Sequence, residues 1–196
     1  MKRLVIYIVI YIISVWAVDA RVWDRDILAR GYEKTVIAMP DDYSGRVVAT
    51  LIKSILNDST DKAILYIHGY NDYFFQAEMG ERFNSQGYNF YAVDLRKYGR
   101  SLLPHQRRFE VRDLKEYFAD IDSALSVMKE DGNKEVILVG HSTGGLGSAY
   151  YVEKRRPEMV KAMILNSPFM DMNLSDALVK YALPVVTGIA KFFPNI

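Results

Sequence analysis

Hydrophobic and polar positions fall into two rhythms along the chain. Short blocks dense in β-branched and aromatic residues occur at 46–54 (RVVATLIKS), 63–69 (AILYIHG), 88–96 (YNFYAVDLR), 135–142 (EVILVGHS) and 160–168 (VKAMILNSP). Their length and composition are those of strands. The last four are near-continuous apolar runs, as expected of strands covered on both faces. The block at 46–54 alternates less cleanly and is expected nearer an edge. Between these blocks, 74–86, 112–131 and 146–156 carry helical spacing; in the second, Leu114, Tyr117, Phe118, Ile121, Leu125 and Met128 recur at intervals of three and four. Strand alternating with helix predicts an α/β fold, a mostly parallel sheet with helices on both faces.

Both ends break this rhythm. Lys2 and Arg3 precede an uncharged, almost wholly apolar run over 4–18 that ends in small residues near Ala20. This is the layout of a secretory signal peptide, with Val18 and Ala20 placed before a cleavage site, a mature chain starting near Arg21 and a periplasmic or secreted protein. The run is shorter than the ~20 residues of a spanning helix. A membrane anchor through 4–18, or a buried element of a cytoplasmic protein, are the alternatives. At the other end, 172–196 (MNLSDALVKYALPVVTGIAKFFPNI) has apolar helical spacing interrupted by Pro184, Gly188 and Pro194. The chain therefore divides into 1–20, a core over 21–170, and a tail over 171–196.

Composition narrows the function. The 196 residues are 50% hydrophobic, enough for one domain with a real core. Lys and Arg total 25 against 24 Asp and Glu, and no basic stripe gathers them, so the electrostatic footprint of a nucleic-acid binder is missing. The absence of cysteine excludes disulfides, thiolate metal sites and a cysteine nucleophile. Nothing in the pattern calls for a metal or other cofactor.

The chemistry concentrates at 139–145 (VGHSTGG), where Gly140, Ser142 and Gly144 form G-x-S-x-G between a predicted strand and a predicted helix. That is the context a nucleophile elbow requires: a sharp turn whose neighbours lack a Cβ and whose serine hydroxyl stands clear of the sheet. Three further pieces occur in order around it, YIHGYND (66–72), DLRKYGRS (94–101) and LNSPF (165–169). Together they resemble the α/β-hydrolases, and among them serine hydrolases of the monoacylglycerol lipase, lysophospholipase and S33 serine aminopeptidase type. Asp94, Arg96, Gly99 and Ser101 match that family's D-x-R-G-x-G-x-S loop, while Lys97 stands where glycine is usual.

The resemblance implies that Ser142 is the nucleophile and that the backbone N–H groups of Tyr70 and Thr143 form the oxyanion hole. It also implies a base that this chain does not supply in the expected order, since the family runs serine, acid, histidine and no histidine follows Ser142. His68 is expected to hydrogen-bond loop backbone, His141 is too close in sequence to turn back on Ser142, and His105 reads as a surface residue. Asp94 and Arg96 are expected to form an ion pair that stabilises their loop. Glu153, Glu158, Asp171 and Asp176 are acids after the serine, none of which precedes a histidine. The expectation is an N-terminal portion of a serine hydrolase of acyl esters, lacking the C-terminal strands and most of the cap. Its substrate would be a small-molecule acyl ester or lipid. The alternatives are an S33-type peptidase or an inactive lipid- or partner-binding protein. Leu174, Leu178, Tyr181, Leu183, Val185 and Val186 in the tail suit either a lid over an acyl chain or ordinary core packing.

Overall fold

The computed structural model describes residues 21–28, 30–56, 60–171, 174–175 and 178–192. The proposed leader over 1–20 and the candidate acid Asp176 lie outside the described residues. Seven strands form one sheet in the order β1-β2-β3-β5-β4-β6-β7, namely β1 (Asp24–Arg25), β2 (Glu33–Asp42), β3 (Gly45–Ser54), β4 (Lys62–Ile67), β5 (Asn89–Asp94), β6 (Glu135–His141) and β7 (Val160–Asn166). β5, β4, β6 and β7 are parallel, and β1, β2 and β3 join them as an antiparallel meander. The helices are α1 (Ala77–Ser85), α2 (Glu116–Glu130), α3 (Thr143–Arg155) and α4 (Leu183–Phe192), the last preceded by a π-helical turn at Leu178–Ala182.

Alternation along the central strands builds two cores. Leu51, Leu65, Val93 and Leu138 face α2 and α3, where they pack with Ile121, Leu125, Met128 and Tyr151. Their neighbours in sequence, Ile52, Ile64, Ala92 and Val139, point the other way, onto Phe74, Phe90 and the α1 residues Met79 and Phe83. Each fully buried aliphatic side chain contributes about 1.5–3 kcal/mol. The predicted helices on both faces are thus present.

Two expectations about strand position are corrected. Residues 46–54 are no edge strand: β3 pairs with β2 on one side and β5 on the other, and Val47 to Lys53 are buried throughout. β2 itself, whose charged and apolar residues mix (EKTVIAMPDD), escaped the pattern. Conversely, the apolar run at 160–168 is not covered on both faces. β7 lies at one edge of the described sheet, paired only with β6, and Met163 and Ile164 are exposed. The tail does not join the core either, since Val185, Val186, Ile189 and Phe192 are all exposed, against the core-packing alternative.

Helix boundaries shift for local reasons. α2 starts at Glu116, not 112, because Asp113 turns its carboxylate onto the Lys115 N–H at 2.9 Å and Glu116 reaches back to the N–H groups of Arg112 and Asp113 at 2.9 and 3.1 Å. α3 starts earlier than its apolar spacing suggests, at Thr143, so that three glycines lie inside it.

Candidate active site

The chain leaves β4 for β5 on one side and, after β5, crosses to β6 on the other, so the carboxyl ends of β4 and β6 flank a topological switch point, where open α/β sheets bind ligands. β4 is followed by His68, Gly69 and Tyr70; β6 is followed by Ser142. Ser142 has φ 52° and ψ −120°, a combination costly for any residue with a side chain. Four backbone hydrogen bonds hold it there. Its N–H donates to Asn166 O at 3.1 Å, and its carbonyl accepts from Gly145 N at 3.0 Å, Leu146 N at 3.3 Å and Phe169 N at 2.9 Å. Its side chain makes no hydrogen bond within the described residues, which leaves the hydroxyl available.

Glycine is obligatory on either side for reasons of space. A Cβ on Gly144 would lie 2.2 Å from His68 O and 2.4 Å from Ile67 O, and one on Gly140 would lie 2.7 Å from the Gly145 Cα. The first turn of α3 therefore seats directly on the backbone at the end of β4. That approach brings the Tyr70 loop and the N-terminus of α3 to one place, with a Cβ built on Gly69 only 3.1 Å from Ser142 Cβ. Thr143 is the first residue of α3, so its N–H has no partner within the helix and points out of the positive end of the helix dipole. Among the described residues neither Tyr70 N–H nor Thr143 N–H donates to a backbone carbonyl outside the regular elements.

The three histidines are engaged elsewhere. His68 is buried; its Nε2 accepts from Leu95 N–H at 3.1 Å, which places the ring proton on Nδ1, donated to Gly69 O at 2.8 Å. Burial holds its pKa below the ordinary value of 6.5, so the ring is a neutral brace between β4 and β5. His141 Nδ1 lies 3.2 Å from Asn166 O, and His105 Nε2 lies 3.1 Å from Arg46 O. Glu153 pairs with Lys154 at 2.9 Å on the surface of α3, and Glu158, just beyond that helix, gives its carbonyl to Lys161.

The expected Asp94–Arg96 pair does not form. The chain turns directly after β5, with Tyr98 N bonded to Leu95 O, and sends the two side chains to different partners. Arg96 is held bidentately by Asp120 of α2 at 2.8–3.1 Å. Asp94 instead accepts from the N–H groups of Phe74 and Arg100 and from the Arg100 guanidinium, each at 2.9 Å. Arg100 and Asp120 were missed from sequence, although Arg100 sits inside the loop motif itself. Lys97 takes φ 64°, the left-handed backbone that glycine would adopt freely, which explains why glycine is usual there.

Residues 58–196, which include this strand–serine–helix turn, match the model of one family, serine aminopeptidase, S33. The chain belongs to this family. Among curated relatives, it is 29% identical to the monoacylglycerol lipase of Mycolicibacterium smegmatis over 68% of this chain and 46% of that protein. It is 28% identical to phospholipase YtpA of Bacillus subtilis over 57% of this chain and 42% of that protein. The chain thus spans about half the length of the curated relatives it matches. Solved structures show the same α/β-hydrolase fold. A soluble variant of monoglyceride lipase from Saccharomyces cerevisiae superposes with TM-score 0.58 at 20% identity, over 81% of this chain and 52% of that one. A thermostable carboxyl esterase from Bacillus coagulans gives TM-score 0.65 at 14% identity, over 81% of this chain and 50% of that one.

Proposed function

We propose that this chain carries the nucleophile and oxyanion hole of a serine hydrolase acting on acyl esters of the monoacylglycerol or lysophospholipid kind. The observation that carries the reading is the strained backbone of Ser142 at the β6–α3 corner, with its hydroxyl unpaired beside the Tyr70 loop. In this reading Ser142 Oγ attacks the ester carbonyl and loses its proton to a base. The carbonyl oxygen becomes an oxyanion held by the N–H groups of Tyr70 and Thr143, the alcohol departs with a proton, and water releases the acyl group from the serine. The base would come from polypeptide other than residues 1–196, since His68, His105 and His141 are all bonded to backbone elsewhere. The lipase and phospholipase relatives support an ester substrate over a peptide. We also place residues 171–196 at the start of a cap and residues 1–20 as an export signal or anchor, giving a periplasmic, secreted or membrane-attached protein.

Fluorophosphonate labelling and p-nitrophenyl ester hydrolysis test the assignment. A serine with an oxyanion hole but no base retains only about 10³–10⁴-fold acceleration over water. Slow labelling of the 196-residue chain that disappears in Ser142→Ala is the expected result. Labelling that persists in Ser142→Ala, or brisk turnover that depends on His68 or His105, would refute it.

A further inference from the structure

We infer that Arg100, clamped between Asp26 and Asp94, is a positioning residue that fixes the loop bearing the Tyr70 oxyanion-hole N–H; the inference rests on the function proposed above. Arg100 is the middle residue of a buried chain of charges, Asp26–Arg100–Asp94. Its Nε and Nη2 donate to Asp26 at 2.6 and 2.7 Å, and its Nη1 donates to Asp94 Oδ2 at 2.9 Å. All three side chains are almost wholly buried, at 8%, 0% and 0% exposure.

Two members of this chain of charges, Asp94 and Arg100, close on one residue of the oxyanion loop. Asp94 Oδ1 accepts the Phe74 N–H at 2.9 Å, and Arg100 Nη1 donates to the Phe74 carbonyl at 2.8 Å. Phe74 is itself fully buried against Tyr32, Tyr66 and Phe90. The opposite end of the same loop is pinned by the Gly69 carbonyl on His68. Residues 70–73 therefore span a short bridge anchored at both ends, and the Tyr70 N–H has little room to wander. Asp26 extends the clamp to the segment just after β1, where its carboxylate also accepts the Leu28 N–H at 2.9 Å. The guanidinium makes four hydrogen bonds from three nitrogens set in a planar fork, to two carboxylates and a carbonyl; an ammonium has three donors on a single atom and cannot reproduce all four.

Misplacing a catalytic donor by about 1 Å costs roughly a hundredfold in rate, without touching ground-state binding. The test uses the full chain and four variants, Arg100→Ala, Arg100→Lys, Asp26→Asn and Ser142→Ala. Asp26→Asn is the gentler change and covers the case in which Arg100→Ala fails to fold. Two quantities are read: the fluorophosphonate labelling rate at saturation against the half-saturating concentration, and amide hydrogen exchange of the 69–75 segment against that of α2 and α3. The expected result is a labelling rate at saturation lowered roughly ten- to a hundredfold in Arg100→Ala, and less in Asp26→Asn, with half-saturation unchanged. Arg100→Lys should not restore the rate, and exchange should rise at 69–75 while α2 and α3 stay protected. Wild-type labelling in both Arg100→Ala and Asp26→Asn, full rescue by Arg100→Lys, or unchanged protection of 69–75 would overturn the clamp. Labelling that survives Ser142→Ala refutes the nucleophile instead, and the exchange pattern then decides the clamp by itself.

Discussion

Lys97 Nζ lies 2.8 Å from Asp42 Oδ2, with the lysine side chain wholly buried and its backbone at φ 64°. The contact is an ion pair whose angle falls short of an aligned hydrogen bond. The ammonium also sits 4.1 Å from the centre of the Tyr43 ring, whose other neighbour is Arg112 at 3.7 Å. Burial would raise the Asp42 carboxyl, but Lys97 and Ser44 outweigh it and hold its pKa below the ordinary range. A side chain that ties the β2–β3 turn to the loop after β5 thus offsets a backbone conformation suited to glycine.

Two competing contributions at Lys97 can be separated by substitution. Lys97→Ala and Lys97→Gly both lose the ion pair and the ring contact, but alanine keeps the left-handed backbone cost of about 1–2 kcal/mol. Greater flexibility of glycine in the unfolded chain offsets about half of that. Urea unfolding should therefore rank wild type above Lys97→Gly and Lys97→Gly above Lys97→Ala, the latter two separated by about 1 kcal/mol. Equal midpoints for the two variants would show that the backbone is not strained.

His68 gives stability a dependence on pH with a definite sign. Its folded pKa is depressed by burial, so below its ordinary value of 6.5 the unfolded chain takes up a proton that the folded ring refuses. Its contribution is complete above that value and falls as pH drops through it, by up to about 1.4 kcal/mol per pH unit. Denaturant titrations between about pH 5 and about pH 8 should show the slope in wild type and lose it in His68→Asn, whatever that variant's absolute stability. A slope unchanged in His68→Asn would assign the effect to other groups.

Reactivity and stability should oppose one another at Ser142. Its φ of 52° and ψ of −120° cost about 1–3 kcal/mol for a residue with a Cβ. Ser142→Gly should relieve this and unfold at higher denaturant than Ser142→Ala, by about 1 kcal/mol after the flexibility of unfolded glycine is counted. Neither variant should label with fluorophosphonate. A glycine variant no more stable than the alanine one would show that the corner carries no strain.

The parallel half of the sheet and its helices were legible in the sequence because each strand is a compact apolar run and each helix buries one stripe. β2 was not, since Glu33, Lys34, Asp41 and Asp42 dilute its apolar residues and its partner is chosen by the hairpin through Gly45 rather than by composition. The sharp strand–helix turn at Ser142 was legible because a local spacing, G-x-S-x-G after a strand, encodes a local corner. The fates of Asp94 and Arg96 were not, because their partners Arg100 and Asp120 depend on where the chain turns after β5 and on which helix lies across it. Proximity in sequence suggested a pair; the direction of the side chains denied it.

Ser142 is held by the last residue of β7 and by the segment just after it, its N–H by Asn166 and its carbonyl by Phe169. The strained corner is therefore not a property of the glycine-rich segment alone. During synthesis the segment 139–145 leaves the ribosome well before residues 166–169, and until they arrive the serine lacks two of the four bonds that define its backbone. The proposed nucleophile cannot be held in its native backbone geometry until the strand that follows has been made and paired, so this corner is assembled last among the elements it touches.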